Sequence, residues 1–140
     1  MDYKIKRIKK HSDKRGDLVV FLKISELEDE SKRFGQIYFV TFNGENMVRG
    51  NHFHKKWREW FGVMTGIIRV ELEDVITKEH VSLELNSSYT YYTRLEIGPN
   101  IAHAFKNITP FASLLNYGDK EWTVNDCYPY KLILENINIE

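Results

Sequence analysis

Short apolar runs of strand length recur along the chain from about residue 18 onward. In residues 68–72 and 81–85, apolar and polar side chains alternate at period two, which indicates strands with one buried and one exposed face. The other runs are rich in the β-branched and aromatic residues that strands favour. They cover residues 18–21, 37–40, 60–64, 91–97, 102–105 and 112–117. The pattern predicts an all-β chain.

The segments between these runs carry the residues typical of turns. Asn43-Gly44, Thr65-Gly66 and residues 86–88, 98–100 and 117–119 combine Gly, Asn, Ser and Pro in the expected way. Residues 24–30 are the one stretch with a helical pattern, and a polar loop fits them equally well. The spacing of runs and turns predicts a β-sandwich or barrel formed by a single domain over residues 1–140.

Composition excludes several classes of partner. The 20 Lys and Arg balance 20 Asp and Glu, so no net field attracts nucleic acid or an anionic membrane. No apolar run approaches the length of a membrane span. The first ten residues are charged and lack the apolar stretch of a secretory signal, which predicts a cytoplasmic protein. Cys127 is the only cysteine, which excludes an intrachain disulfide and a thiolate cluster.

Candidate metal ligands are concentrated between residues 52 and 59. His52 and His54 are two residues apart, so a strand projects both from the same face. Glu59 begins the next apolar run, and a tight connection brings its carboxylate beside both rings. His103 lies on a later predicted strand. Three nitrogens and one oxygen suit Zn, Fe, Mn, Ni or Cu, so the pattern predicts a divalent metal without choosing which.

These residues resemble the two sequence motifs of the cupin superfamily. The first motif is matched in order and spacing by His52, His54, Glu59 and Gly66. The second is matched by Pro99, His103 and Asn107. The resemblance implies an antiparallel β-barrel of jelly-roll type in which the three histidines and the glutamate are the metal ligands.

The departures from the motifs lie in turns. Asn46 replaces the glycine that usually opens the first motif, while Gly98 and Asn100 stand where the second usually has proline and glycine. Gly and Asn both tolerate left-handed backbone, so these exchanges cost little. None of the four ligand positions is altered.

Three further segments are similar to cupins that act on nucleotide sugars. Residues 13–18 resemble the D-x-R-G-x-L entry of the 3,5-epimerases and 3,4-ketoisomerases of dTDP-4-keto-6-deoxyhexoses, and residues 125–129 resemble their closing N-D-x-x-P stretch. Residues 49–55 are similar to the R-G-x-H-x-H-K of the ketoisomerases and of the C-terminal cupin domains of capsular-polysaccharide sugar-modifying proteins. The implied substrate is a nucleotide-linked keto sugar, whose diphosphate Arg15, Arg49 and Lys55 would bind if they line the barrel mouth.

The implied reaction is proton removal next to a carbonyl, followed by reprotonation of the enediolate at another atom, as in an isomerase or epimerase. Histidine is a suitable base near neutral pH, so His52 or His54 is the first candidate. A histidine bound to metal cannot also be a free base. In that case the base comes from elsewhere, and the candidates are Tyr38, Tyr117 and Asp119.

Two other classes of function stay open. A cupin dioxygenase or a phosphosugar isomerase would use the same four ligands, and a non-catalytic sugar-binding module would use the barrel without chemistry. Small cupins commonly pair through strand exchange or sheet packing, so the resemblance also implies a homodimer.

Overall fold

The computed structural model describes residues 1–133, and almost all of its regular structure is antiparallel β-strand. The strands are β1 Tyr3–Lys9, β2 His11–Asp13, β3 Gly16–Leu18, β4 Gln36–Asn43, β5 Val48–Phe53, β6 Glu59–Thr65, β7 Ile67–Asp74, β8 His80–Asn86, β9 Tyr91–Ile97, β10 Ile101–Asn107, β11 Phe111–Gly118 and β12 Tyr128–Pro129. Three single-turn 3₁₀ helices cover Ile24–Glu26, Asp29–Ser31 and Val124–Asp126. The all-β prediction is confirmed.

The strands form two five-stranded sheets that enclose one core. The first sheet has the order β1-β9-β6-β11-β4, and the second has the order β12-β5-β10-β7-β8. Apolar side chains from both sheets meet between them, as where the rings of Phe61 and Phe105 lie 4.8 Å apart. The buried cluster includes Phe42, Val63, Ile68, Val70, Leu72, Leu85, Leu95 and Ile97. This is the antiparallel jelly-roll barrel that the cupin resemblance implies.

Local patterns explain most strand boundaries, but they miss the edge strand β1 and the short strands β2 and β12. The predicted strand at residues 18–21 is wrong, because β3 pairs only with β2 in a short hairpin and ends at Leu18. Strands β7 and β8 follow the predicted alternation. In place of the possible helix at residues 24–30, the chain forms two separate 3₁₀ turns, Ile24–Glu26 and Asp29–Ser31. Strand β1 was not predicted, because charged Lys and Arg side chains interrupt its apolar residues. It pairs with β9 at the edge of the first sheet. Charged side chains are typical of edge strands, where they oppose pairing with other chains.

The described part of the chain contains no helix long and apolar enough to cross a membrane.

Candidate active site and metal centre

A bulge in β5 brings the first two histidines into the site. Gly50 has φ 92° and Asn51 has φ 59°, and the pairing of β5 with β10 shifts at this point. His52 consequently lies directly opposite His103 on β10. The Asn51 side chain holds the bulge, since its Oδ1 accepts hydrogen bonds from the backbone N–H groups of Leu132 and Ile133.

Gly50 is required here both for its backbone and for its lack of a side chain. A Cβ at this position would lie 2.6 Å from the carbonyl oxygen of His103. Gly44 has a similar φ of 97°, but its Cβ would meet only the flexible Met47 side chain, at 3.4 Å. We expect Gly44→Ala to lower the free energy of unfolding by about 1 kcal/mol through backbone strain. We expect Gly50→Ala to exceed that loss by at least about 1 kcal/mol, because it adds a steric clash.

Urea denaturation of the two glycine variants beside the wild type measures this difference. Equal losses in the two variants would contradict the close approach of β5 and β10 at Gly50.

Three imidazoles and one carboxylate converge inside the barrel. The candidate ligand atoms of His52, His54 and His103 all lie within 4.8 Å of one another. Glu59 Oε2 is 3.6 Å from His54 Nε2 and 3.5 Å from His103 Nε2. His54, His103 and Glu59 are almost fully buried, while His52 is partly accessible. His52 therefore marks the side of the cluster that faces the solvent.

Backbone carbonyls determine which imidazole nitrogen faces the centre. His54 Nδ1 lies 2.5 Å from the carbonyl oxygen of Asp126, and His103 Nδ1 lies 3.1 Å from that of Ile101. A carbonyl oxygen can only accept, so each Nδ1 carries the proton and donates it. The Nε2 lone pairs of both rings then point toward Glu59. Such partners are typical of histidines that bind metals.

Burial keeps the histidines neutral and the carboxyl protonated when no cation is bound. It lowers the pKa of His52 to about 4, and the neighbouring His54 lowers it further. Burial also lowers the pKa of His54 and of His103. The pKa of Glu59 is raised to about 8, first by burial and then by the charge of Asp119, against a lowering by its hydrogen bond to Asn116. Neutral imidazoles are the form that binds a metal or accepts a proton.

The donor set fits a divalent cation. Ligands about 2.1 Å from a metal, at tetrahedral angles, are about 3.4 Å from each other. The 3.5 and 3.6 Å separations between Glu59 Oε2 and the two Nε2 atoms agree with that spacing. His54, Glu59 and His103 would hold such an ion, with His52 beside them. The donor types suit Zn, Fe, Mn or Ni equally.

Tyr38 lies on the first sheet, across the barrel from the second sheet, whose strands β5 and β10 carry His52 and His103. Tyr38 on β4 pairs with Asn116 on β11, and Asn116 pairs with Phe61 on β6, so the three side chains share the inner face. Burial raises the pKa of Tyr38, and Glu59 raises it further once its carboxyl has ionised. The phenol therefore keeps its proton through the neutral range. Tyr38 retains 38% exposure, which places it at the opening of the barrel.

Comparison with known proteins places almost the whole chain in one family. The sequence model of the FdtA family, described as WxcM-like, C-terminal, matches residues 1–135. The chain belongs to this family. A search of curated proteins finds no significant match.

Among the solved structures similar to this FdtA-family chain are the following three sugar-nucleotide enzymes. A 3,4-ketoisomerase from Helicobacter canadensis is 28% identical, with 91% of this chain and 90% of that chain covered and a TM-score of 0.75. A variant of the 3,4-ketoisomerase QdtA from Thermoanaerobacterium thermosaccharolyticum, in complex with TDP-4-keto-6-deoxyglucose, is 22% identical over 90% of this chain and 86% of that chain, with a TM-score of 0.70. A dTDP-4-dehydrorhamnose 3,5-epimerase from Bacillus anthracis is 20% identical over 90% and 77%, with a TM-score of 0.78. The QdtA variant and the Bacillus anthracis epimerase, at 22% and 20% identity, show that the fold is shared.

Tyr117 and Asp119, the other candidate bases, do not meet the histidines in this FdtA-family chain. Tyr117 points to the outer face of its sheet, because side chains alternate along β11 and its neighbour Asn116 points inward. Its hydroxyl donates to the carbonyl of Arg33. Asp119 is buried, and its carboxylate accepts hydrogen bonds from the backbone N–H of Arg58 and from the Ser31 hydroxyl. These contacts favour a structural role for both side chains.

The three predicted phosphate-binding cations lie in different places. Arg49 lies near the opening, where its Nε donates to the carbonyl of Thr41 and its charge lowers the pKa of Tyr38. Lys55 Nζ lies 4.4 Å from the centre of the Tyr128 ring. Arg15 is at the tip of the exposed β2–β3 hairpin, and its side-chain hydrogen bonds within residues 1–133 are to Asp13. Of these three cationic side chains, Arg49 is thus the one that described contacts link to β4 of the inner wall.

Sequence reasoning missed Asp126, which organises the loop beside His54. Its carboxylate accepts hydrogen bonds from the backbone N–H groups of Lys55 and Lys56, at 2.8 and 3.0 Å, while its carbonyl accepts from His54. The closing N-D-x-x-P stretch contains this aspartate and was the available signal. Nothing in that stretch indicated which histidine it contacts.

Proposed function

We propose that this chain is an isomerase or epimerase of a nucleotide-linked 4-keto-6-deoxy sugar in surface-polysaccharide sugar biosynthesis. The observation that carries the proposal is the accessible His52, which is kept neutral by burial and by the neighbouring His54 and lies across the barrel from the inner wall that carries a protonated Tyr38. A neutral imidazole can accept a proton from carbon, and a phenol can return one. Membership of the FdtA family and similarity to the Helicobacter canadensis 3,4-ketoisomerase support the choice of reaction, and the complex of the QdtA variant with TDP-4-keto-6-deoxyglucose supports the choice of substrate.

In the proposed reaction, His52 takes the proton from the carbon next to the keto group. The electrons of the broken C–H bond form the enediolate double bond, and the keto oxygen becomes the enediolate oxygen. For isomerisation, a proton is returned at the former keto carbon while the neighbouring hydroxyl passes its proton to the enediolate oxygen and becomes the new keto group. For epimerisation, the proton is returned on the other face of the carbon that lost it, and the keto group forms again at its original position. His52 is assigned this step because it is the accessible histidine of the cluster. Tyr38 is assigned the proton donation.

We also propose that the barrel binds one divalent metal through His54, Glu59 and His103. His52, the fourth ligand that the cupin motif predicts, belongs to the same group of histidines and is left out of this set because a metal-bound histidine could not also take the proton. A bound metal supplies a Lewis acid that polarises the keto oxygen. Backbone hydrogen bonds hold the two imidazoles with their Nε2 atoms inward, so these ligands are oriented before the metal arrives.

Turnover in D₂O tests the proposed activity. Purified protein is incubated with dTDP-4-keto-6-deoxyglucose, and proton NMR follows deuterium entering the sugar and the appearance of a 3-keto sugar or an epimer. Deuterium in the product supports the proposal. Oxygen consumption together with conversion of the sugar to an oxidised product would favour a dioxygenase, and binding without exchange would favour a sugar-binding module.

Arg49 is proposed to bind the diphosphate. A charge-assisted hydrogen bond contributes about 1.5–3 kcal/mol, so we expect Arg49→Met to raise KM by about 10–100-fold with a smaller change in kcat. Arg69→Met is the matched control, because Arg69 forms an ion pair with Glu71 on β7. Steady-state kinetics with the nucleotide sugar measures both. A KM equal to that of the wild type would contradict phosphate binding by Arg49.

A homodimer is proposed from the outer face of the first sheet. Ile37, Phe39 and Phe111 are 59%, 65% and 70% exposed there, although all three are large apolar side chains. Apolar patches of this kind commonly mark protein interfaces. We expect Phe39→Lys to shift the molar mass measured by light scattering from about two chains to one. Ile76→Lys, at a 73% exposed apolar position in the turn between β7 and β8, is the control for added charge, and a wild type with the mass of a single chain would contradict the dimer.

A further inference from the structure

Asn116 is a fully buried amide at the centre of the inner wall. It lies in the middle of β11 and has 0% exposure. Its cross-strand neighbours are Tyr38 on β4 and Phe61 on β6, so its side chain points into the barrel between the two rings. Two residues earlier on the same face, the apolar side chain of Leu114 is buried in the core.

The amide holds one oxygen of the Glu59 carboxylate. Asn116 Nδ2 donates to Glu59 Oε1 at 3.3 Å, while the other oxygen, Oε2, faces the Nε2 atoms of His54 and His103. The two carboxylate oxygens therefore have different partners. A glutamate side chain loses rotamer freedom when it binds an ion, and a neighbour that already restricts it reduces that cost.

The Asn116 amide is buried although, among the described residues, only its nitrogen forms a hydrogen bond. Asn116 Oδ1 has no hydrogen-bond partner among the described residues. A buried acceptor without a partner costs about 1–3 kcal/mol. Leucine would avoid this cost, so the packing of the barrel does not explain the asparagine. The contact that distinguishes it from leucine is the hydrogen bond to Glu59.

We propose that Asn116 is a positioning residue that orients Glu59 for a divalent cation. It acts through Oε1, which it holds, and so directs Oε2 toward the two histidine nitrogens. The inference rests on the metal site proposed above and adds a residue outside both cupin motifs. Partners of metal ligands typically change metal affinity by about 10–100-fold when they are removed.

A matched pair of buried asparagines tests the proposal. Asn116→Ala removes the amide that holds Glu59. Asn107→Ala removes an equally buried amide on β10, whose Nδ2 donates to the carbonyls of Gly44 and Thr109 rather than to a candidate ligand. Zinc dissociation constants come from competition with a chromophoric chelator, and the visible spectrum of the cobalt-loaded protein reports the ligand geometry. Asn116→Leu keeps the volume and serves as a second variant.

We expect Asn116→Ala and Asn116→Leu to weaken zinc binding by about 10–100-fold and to change the cobalt spectrum. We expect Asn107→Ala to lower the melting temperature and to leave zinc affinity and spectrum unchanged. Wild-type affinity and spectrum in both Asn116 variants would overturn the positioning role alone. A wild type that binds no zinc or cobalt would overturn the metal site together with this inference.

Discussion

Replacing His52 with asparagine is expected to abolish exchange of the substrate proton with solvent while metal content is retained. His52 is the accessible member of the cluster, and the proposed reaction assigns it the proton transfer. General-base catalysis contributes about 10²–10⁴-fold, so kcat/KM should fall by that factor. Asparagine keeps a polar side chain of similar size, which limits the effect on folding.

His54→Asn is the informative companion. His54 is buried, its Nε2 faces Glu59, and its Nδ1 donates to Asp126, so we expect this variant to lose both the metal and the activity. Metal analysis and deuterium exchange on the same preparations separate the two roles. Full activity in His52→Asn would mean that another residue is the base. Metal retained in His54→Asn would contradict the assignment of His54 as a ligand.

The metal-free protein is expected to lose stability as the pH rises from about 6.5 to 8. The pKa of Glu59 is about 8 in the folded chain and near 4.5 in the unfolded chain. Between these values the folded state holds one more proton than the unfolded state, so the free energy of unfolding falls by about 1.4 kcal/mol per pH unit. Over this window the Glu59 contribution is a loss of about 2 kcal/mol.

Glu59→Gln isolates that contribution, because glutamine has the same shape and no proton to lose. His80 adds to the same decline, since Glu71 and Glu73 raise its pKa and its stabilising charge is lost at higher pH. The buried His52, His54 and His103 act in the opposite direction, because their lowered pKa values reduce stability below about pH 6.5. Urea denaturation of chelator-treated protein should show wild type losing about 2 kcal/mol more than Glu59→Gln between pH 6.5 and 8. Parallel curves would contradict a protonated Glu59.

The sequence predicted the fold through local patterns that the structure retains. Residues 68–72 and 81–85 alternate because one face of β7 and β8 contacts the core. The charged strand β1 escaped prediction because an edge strand needs little apolar surface, so its pairing with β9 depends on backbone hydrogen bonds that the pattern does not record.

For the site, the motif residues His52, His54, Glu59 and His103 come together as the cupin resemblance implies. Tyr117 was predicted as a candidate base and its neighbour Asn116 was not. Side chains alternate along β11, however, so Asn116 points toward the site and Tyr117 points away from it. Which face of β11 is inner follows from its register with β4 and β6, a non-local property. Asp126 likewise lies 72 residues from His54 along the chain, so no local pattern could join them.

The contact between His54 and Asp126 also determines when the site can be assembled. A chain emerging from the ribosome presents His52, His54 and Glu59 early, and His103 after roughly 50 more residues at about 5–20 residues per second. The carbonyl that orients His54 and the carboxylate that holds residues 55 and 56 arrive only with residue 126. During synthesis the barrel can therefore collect these four side chains before it can orient them, so tight binding of the proposed metal would have to wait until residues 126–129 have folded against β5.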